Sequence, residues 1–338
     1  MTKPFQTTFT KHRVLWAVLL LGTALVVTLT LSLSQGAVHL SMSEFWQAIL
    51  RKGDPVKQTI LWDLRLPRIT AALIVGAALG MSGALLQGML RNSLADPFIL
   101  GISAGAGLVV ILMLVWHIFP VAIPLAAWLG AILTSAIVIL IGRTGSGISV
   151  ERLILGGVAV SSLFGAVQST LLLLAEDGQI QIALSWLVGS LNGRGWQEIA
   201  TTGPYIIVAL LGGCLLARSV NVLALGDDLA VSLGVSLMRS RLIIGGVATL
   251  LAAGAVSISG LIGFVGLVVP HGVRLIVGTD HRFVLPLSAL AGAWLLTFAD
   301  LLSRLGAVEL PVGSVTALLG SPLFIWLLYR RSNGFNKF

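Results

Sequence analysis

Long tracts of the sequence carry no charged residue and no histidine, and their length constrains the fold more than any other feature. There are nine such tracts, most of them close to the roughly 20 residues that a bilayer-crossing helix needs. Runs of this length exclude a transmembrane β-barrel, because barrel strands alternate apolar and polar residues. The sequence therefore predicts an all-α, polytopic membrane protein. The tracts lie between Arg13 and Gln35, Arg68 and Arg91, Asp96 and His117, His117 and Arg143, Arg152 and Glu176, Glu198 and Arg218, Arg241 and His271, Arg282 and Asp300, and Glu309 and Arg330.

Composition supports a membrane protein. Hydrophobic residues make up 57% of the chain, charged residues make up 10%, and the mean hydropathy is +1.00. The net charge of +8 would suggest nucleic-acid binding in a soluble protein, but here it fits basic loops on the cytoplasmic side. The single cysteine, Cys214, lies inside an apolar tract, so no intramolecular disulfide is available.

The tract that follows Arg241 is too long for one span and short for two. Extended to Val273, it would measure about 48 Å as one straight helix, against a hydrocarbon core of about 30 Å. Gly260 and the glycines and proline that follow it offer places where the helix can break. We therefore expect two short helices, which must pack inside protein or line a wet cavity.

Charge distribution predicts an even number of spans. With the N-terminus inside and ten spans, the basic residues divide 14 cytoplasmic to 7 external, whereas nine spans would divide them 10 to 11. Both termini are then cytoplasmic, and the first span is expected to be an uncleaved signal anchor, because no small-x-small cleavage site follows it. Residues 1–338 are predicted to form a single transmembrane domain with some helices short or broken. The approximate spans are 14–34, 69–90, 97–116, 119–142, 153–175, 199–217, 242–259, 262–273, 283–303 and 310–329.

Motifs for catalysis and nucleotide binding are missing from the sequence. It contains no G-x-x-x-x-G-K-[ST], H-E-x-x-H or G-x-S-x-G, and its five histidines are scattered. We therefore expect a transporter rather than an enzyme. The carboxylates lie in loops or at span ends, which disfavours a proton-coupled secondary transporter, because such proteins keep a titratable relay residue near mid-membrane.

The predicted cytoplasmic segment 219–240 contains a short amphipathic helix. Asp227 and Asp228 would form its acidic first turn, Leu229 and Leu233 recur at i and i+4, and Gly234 would end it. An interfacial helix on lipid headgroups is one interpretation. A protein partner is favoured, because an acidic first turn suits an anionic leaflet poorly.

The predicted external segment 36–68 would begin with a short surface helix capped by Ser43. It ends with Arg65 and Arg68 at the outer mouth of the second span, and Arg304 lies at the outer end of the ninth. On the residues alone, snorkelling anchors are the commoner explanation of such arginines. The alternative is bidentate pairing with carboxylates of a docking protein.

These stretches and several others, taken together, resemble the FecCD-type permeases, the membrane subunits of type II ATP-binding-cassette (ABC) importers for ferric siderophores, haem and cobalamin. The match covers residues 36–330 in order. The matching stretches are Arg-Leu-Pro-Arg at 65–68, Gly-Ala-Ala-Leu-Gly-Met-Ser-Gly-Ala-Leu-Leu-Gln at 76–87, Asn-Ser-Leu-Ala-Asp-Pro at 92–97, Ala-Leu-Gly-Asp-Asp-Leu-Ala-Val-Ser-Leu-Gly-Val at 224–235, Gly-Phe-Val-Gly-Leu-Val-Val-Pro-His at 263–271, Asp-His-Arg at 280–282 and Glu-Leu-Pro-Val-Gly at 309–313.

The resemblance implies an assembly in a bacterial inner membrane. A second permease, identical or related, would form the pathway together with this chain, two cytoplasmic ATPases would bind ATP and Mg, and a periplasmic protein would deliver the substrate. We lean towards two different permeases. The chain itself would contact lipid but no nucleic acid, and would bind no cofactor or metal. His271 is expected to be structural, since family substrates arrive already chelated.

The resemblance also assigns roles to residues. Segment 226–234 would be the element that couples the chain to the ATPases, Arg65, Arg68 and Arg304 would pair with glutamates on the two lobes of the binding protein, and two turns would form a cytoplasmic gate. The coupling residues are Gly226, Asp227, Asp228, Leu229, Ser232, Leu233 and Gly234, and the gate residues are Asn92, Leu94 and Ser149.

The prediction of the substrate depends on one segment of the chain. Residues 184–196 are closest to siderophore-type members, so the resemblance favours a ferric siderophore that passes from a periplasmic binding protein to the cytoplasm by alternating access. Import of haem or cobalamin is the alternative within the class. An ion-coupled secondary transporter is the alternative from another class.

Overall fold

The computed structural model describes residues 5–35, 41–118, 122–144, 147–306 and 308–334. Helices dominate these ranges, with one π-helical segment (Ile60–Arg65), one 3-10 turn (Pro97–Leu100) and one hairpin of two short strands, β1 (Arg143–Thr144) and β2 (Gly147–Ile148). The helices are α1 (Phe5–Ser34), α2 (Met42–Ile49), α3 (Pro55–Thr59), α4 (Leu66–Leu90), α5 (Ile102–Val115), α6 (Ile123–Ile141), α7 (Val150–Leu173), α8 (Asp177–Val188), α9 (Trp196–Leu215), α10 (Ala217–Ala224), α11 (Asp227–Ser232), α12 (Leu237–Ser259), α13 (Val265–Val277), α14 (His281–Ser303) and α15 (Val312–Gly334).

Ten of these helices are apolar and overlap the ten ranges predicted as spans. Seven are long and apolar enough to cross a bilayer, and α5, α13 and the first part of α15 are shorter apolar helices. The all-α membrane architecture is therefore confirmed. The number of helices that cross the bilayer and the direction in which each one crosses remain predictions.

A buried core of α4, α12 and α14 is surrounded by helices with exposed apolar side chains. In the most apolar stretch of each helix, 78%, 72% and 67% of residues are buried, compared with 17% in α1 and 22% in α7. Small residues let the core helices approach closely: a Cβ added at Gly76 would lie 2.3 Å from the Gly292 carbonyl, and one at Gly83 would lie 1.9 Å from the Gly266 carbonyl. This packing is typical of membrane helix bundles.

The long apolar tract breaks at Gly260. Helix α12 ends at Ser259, Gly260 takes a φ of +70°, and α13 begins at Val265. The backbone freed by the break is hydrogen-bonded within the protein: the Ser259 carbonyl accepts from Ser190 N–H, and the Trp186 carbonyl accepts from Leu261 N–H. A broken helix at membrane depth requires such partners.

The helices differ from the prediction in three ways. The N-cap of α2 is Ser41 rather than Ser43, because Ser41 and Glu44 form a reciprocal capping box. The helix that contains α4 begins at Pro55, well before residue 69, since Pro55 at the first helical position and the Asp54 cap start it early. Helix α8 was not predicted, because its 12 residues are too few for a span.

Antiparallel α4 and α14 connect two ends of the bundle. We call the end where α4 begins and α14 finishes, beside Arg65, Arg68 and Arg304, the arginine end. The opposite end, which holds Asp227 and Asp228, is the aspartate end. The 25 residues of α4 separate the two ends by about 37 Å.

Candidate functional site

A single buried carboxylate organises the arginine end. Asp300 is fully buried in α14, three residues before the helix finishes. Arg68 donates from Nε to Asp300 Oδ1 at 2.9 Å, and its Nη2 lies 2.8 Å from the same oxygen. The Arg304 Nη2 lies 3.2 Å from Oδ2 of Asp300. One acid therefore orients two of the three predicted docking arginines.

A second acid reaches Arg68 from the surface. The Arg68 Nη1 lies 2.6 Å from Glu309 Oε1, and the Glu309 side chain is 37% exposed whereas that of Arg68 is 11% exposed. An ion pair this accessible is weak, because water and salt screen it. Arg68 therefore has one fixed partner, Asp300, and one replaceable partner, Glu309.

Arg65 and Arg304 also contact the end of α1. Arg65 donates to the carbonyl of Leu33, and the Arg304 Nη2 hydrogen-bonds the hydroxyl of Ser32. Arg65 is only 6% exposed. Both arginines bind other parts of the chain, so they are not simple snorkelling anchors whose side chains extend to lipid headgroups.

The structure brings all three predicted arginines to one recess and adds a fourth. The recess is a cavity of about 340 Å³. Arg194, from the loop between α8 and α9, also lines it, and burial lowers the pKa of this guanidinium. Four cations around one cavity would attract an anionic group. The lining residues are Ile60, Asp63, Leu64, Arg65, Arg68, Asn192, Gly193, Arg194, Gly195 and Arg304.

At the aspartate end, the predicted short helix is present as α11. Gly226 precedes it with a φ of +114°, a conformation that suits glycine, and Gly234 follows it with a φ of +80°. Ser236 then occupies the N-cap position of α12, without a side-chain hydrogen bond to the helix. The turn between the two helices leaves α11 as a separate one-and-a-half-turn element attached to α12.

Most of the predicted coupling residues on α11 and its flanks face outward. Ala230 is fully buried against the bundle, whereas Leu229 is 55% exposed and Leu233 is 62% exposed. Asp228 and Ser232 are also exposed. Leu229 and Leu233 therefore form a small apolar surface beside Asp228. This surface does not belong to any of the long apolar helices.

Asp227 behaves differently from its neighbours. The Nη2 of Arg241, the fifth residue of α12, donates to both Asp227 carboxylate oxygens at 2.8 and 2.9 Å, and Arg91 lies 3.3 Å away. Arg241 is 6% exposed and also donates from Nη1 to the Ile148 carbonyl at 2.6 Å. The sequence analysis did not identify Arg241.

The predicted gate residues lie in two turns at the aspartate end. The Asn92 side chain accepts from the Leu94 N–H at 2.9 Å, and Leu94 is 46% exposed. Ser149 caps α7. Helix α7 packs tightly on the 3-10 turn, since a Cβ added at Gly157 would lie 1.8 Å from the Ile99 carbonyl. Helix α7 and the segment that follows Asn92 and Leu94 are therefore packed together.

Comparison with known proteins identifies the family. Residues 24–330 match the sequence profile of the FecCD transport family. The chain belongs to the FecCD transport family. It is 38% identical over 327 residues to the hemin transport system permease protein HmuU of Yersinia pestis, a match covering 93% of this chain and 96% of that protein. It is 41% identical over 288 residues to the cobalamin import system permease protein BtuC of Halobacterium salinarum, covering 85% and 78%.

A solved structure agrees with the family. It is described as an inward-facing conformation of a metal-chelate type ABC transporter, and its TM-score against this chain is 0.84, with 32% identity, over 93% of this chain and 98% of that one. The FecCD chain is thus an ABC importer permease. It is a multi-pass membrane protein that serves as a transport subunit and not as an enzyme.

Family membership explains which site residues could be anticipated from sequence. Arg65, Arg68 and the coupling segment lie in stretches that resemble the family, so their positions could be predicted. Asp300 had a weaker signal, an acid four residues before Arg304 inside an apolar run, which suits an i,i+4 pair on a helix. Arg241 had no local signal at all, because its partners are 14 and 93 residues away.

Proposed function

We propose that this chain is the permease subunit through which a ferric-siderophore complex passes from a periplasmic binding protein to the cytoplasm of a bacterium. The observation that carries the proposal is the pair of unlike surfaces at opposite ends of one rigid helix pair, α4 and α14. The arginine end offers cations, and the aspartate end offers an exposed apolar helix. A permease that receives its substrate from one protein and its energy from another needs a surface for each. We call the first the loading surface and the second the drive surface.

The arginine end is the proposed loading surface. Arg65, Arg68 and Arg304 would receive carboxylates from the two lobes of the binding protein. Glu309 occupies one face of Arg68 in the isolated chain, and its exposure makes it a group that an incoming carboxylate can replace. Docking through such contacts should be fast and sensitive to salt.

The aspartate end is the proposed drive surface. Leu229 and Leu233 would insert into a groove on a separate cytoplasmic ATPase, with Asp228, Ser232 and the flanking Gly226 and Gly234 completing the contact. The exposed apolar side chains support this, because a helix of six residues has too little area to rest stably on lipid. The gate formed by Asn92, Leu94 and Ser149 would open when the ATPases move.

The proposed assembly contains this permease with a second one, two ATPases that hold ATP and Mg, and one binding protein. Two different permeases are favoured over two identical ones. The chain itself would hold neither cofactor nor metal. Both termini would face the cytoplasm, so a reporter fused after Phe338 should be accessible only from that side.

The substrate is proposed from segment 184–196 and from the metal-chelate transporter that this chain resembles. Haem or cobalamin is the second candidate, supported by the similarity to the hemin and cobalamin permeases. A thermal-shift panel on the cognate binding protein separates the candidates. Stabilisation by ferric siderophores and by neither haem nor cobalamin is expected.

Uptake by proteoliposomes tests the mechanism. Vesicles that contain the complete complex should accumulate the chelate only when ATP is hydrolysed, and a protonophore should leave uptake unchanged. A catalytically inactive ATPase subunit provides the matched control, because it preserves assembly. Uptake that survives in this control and collapses with the proton gradient would instead identify an ion-coupled secondary transporter.

A further inference from the structure

Three separate segments of the chain meet at Arg241. Its Nη2 donates to both oxygens of Asp227, at the start of α11, and its Nη1 donates to the carbonyl of Ile148, at the end of β2. Arg241 itself is the fifth residue of α12. The residue after Ile148 is Ser149, the N-cap of α7.

The guanidinium group gives this contact a fixed shape. It is planar and rigid, so its two terminal nitrogens hold their acceptors at a set distance and angle. Both are in use here, one on a carboxylate and one on a backbone carbonyl. The start of α11 and the end of the β1–β2 hairpin are therefore held in one geometry through a single side chain.

A second arm extends from Asp227 to the other gate turn. Arg91 terminates α4 in a left-handed conformation with φ +50°, and its Nη2 lies 3.3 Å from Asp227 Oδ1. Asn92 follows it directly. Asp227 is thus connected through Arg241 to the turn before α7 and through Arg91 to the turn after α4.

Burial of Arg241 makes it unfavourable to separate its guanidinium from the Asp227 carboxylate. Arg241 is 6% exposed, and its Nε finds no hydrogen-bond acceptor among the residues that the structure describes. If α11 moved away alone, a buried guanidinium would lose its carboxylate, which is strongly unfavourable. Movement of α11 together with the hairpin avoids that penalty.

We infer that Arg241 is a positioning residue that passes displacement of α11 to the β1–β2 hairpin and the start of α7. Asp227 then acts inside the chain, as the carboxylate that Arg241 holds, while Leu229 and Leu233 form the contact with the ATPase. This inference rests on the proposed function and deepens it. It replaces the sequence-based interpretation in which Asp227 and Asp228 play the same part.

The substitution Arg241→Lys tests the inference in the complete complex. Lysine keeps the charge but reaches only one of the two acceptors, so α11 and the hairpin become independent. We expect ATP hydrolysis to continue while about tenfold more ATP is consumed per molecule imported. Arg239→Lys is the matched control, because Arg239 is exposed and lies two residues before Arg241 in the same helix. In this variant, the amount of ATP consumed per molecule imported should equal that of the wild type.

Hydrogen exchange distinguishes a residue that transmits movement from one that only stabilises the fold. Peptides covering 224–236 and 143–152 are compared with and without ATP. In the wild-type complex both should change their exchange rates together. In Arg241→Lys the first should still respond and the second should not.

Two results would overturn the inference while leaving the proposed function intact: an unaltered ATP-to-transport ratio in Arg241→Lys, or ATP-dependent exchange in both peptides of that variant. Asp227→Ala, which removes the acceptor of Arg241 Nη2, is measured in parallel, so the outcome does not depend on the folding of one variant, and it should give the same uncoupling. If the wild-type complex itself imports without hydrolysing ATP, the proposed function fails and not the inference alone.

Discussion

The two ends of the molecule use the same kind of ion pair, but the more deeply buried partner is the acid at one end and the arginine at the other. At the arginine end the acid is buried, since Asp300 is fully enclosed in a 23-residue helix and the arginines surround it. At the aspartate end the arginine is buried, since Arg241 is 6% exposed, and the acid belongs to the six-residue α11. The first arrangement fixes cations on a rigid platform. The second tethers a small, separate helix.

The two ends also present different chemistry to a partner. The arginine end presents charge, and interactions with exposed charges weaken as salt is added. The aspartate end presents Leu229 and Leu233, whose burial against a partner depends little on salt. We therefore expect binding at one end to be governed by electrostatics and at the other by apolar contact.

The largest effect is expected for Asp300→Asn, which tests the platform. Removing the charge leaves Arg68 and Arg304 without the carboxylate that holds them, and breaking a buried pair costs about 3–5 kcal/mol. The free energy of unfolding in detergent should fall by that amount, and affinity for the binding protein should fall with it. Both are measurable on the purified chain.

Asp63→Asn is the control for this prediction. Asp63 lines the same recess but is exposed, so the free energy of unfolding should stay within about 0.5 kcal/mol of the wild type. Equal stability of Asp300→Asn and the wild type would mean that the arginine end is not organised by its buried acid, and the contrast between the two ends would disappear.

A smaller effect is expected for the double substitution Leu229→Ala and Leu233→Ala. Burying two leucines contributes at most about 3–6 kcal/mol, and because only part of the buried apolar area is recovered as affinity, docking should weaken by about tenfold to a hundredfold. Pull-down or surface-plasmon measurements with the ATPase subunit would give the change, and raising the salt concentration should not mimic it. Leu310→Ala, an exposed leucine at the arginine end, should leave ATPase binding unaltered.

How much of this could be predicted from sequence depends on how local each signal is. The apolar tracts, the break at Gly260 and the glycine stop at Gly234 follow from residues a few positions apart, and the structure has all three. The N-cap of α2 was misplaced by two residues, because Ser41 and Ser43 both suit a cap and only the reciprocal bond with Glu44 decides between them.

The charge networks could not be predicted, because they join distant parts of the chain. Arg68 and Asp300 are 232 residues apart, and Arg241 and Ile148 are 93 apart. Motifs predicted partner-binding roles for the arginines and Asp227, but the neighbours of each side chain depend on tertiary packing. Asp227 and Asp228 are adjacent in sequence, and only the fold gives them different neighbours.

The smallest effect, and the one that most sharpens the comparison, is expected for Glu309→Gln. Glu309 occupies the exposed side of Arg68 and would compete with a docking carboxylate, so its neutralisation should strengthen binding of the periplasmic protein. An exposed pair is worth about 0.2–1 kcal/mol, which corresponds to at most about a fivefold lower Kd. The gain should shrink as salt is added.

Glu44→Gln separates local competition from a general change in charge. Glu44 lies on α2 at the same end, and the hydrogen bond from Lys57 lowers the pKa of its carboxyl to about 2, so the substitution removes one full negative charge at neutral pH. Glutamine also preserves the capping box. If both substitutions strengthen docking equally, Glu309 is not a competitor. If Glu309→Gln weakens docking, Glu309 orients Arg68 as Asp300 does, and the arginine end has two fixed partners instead of one.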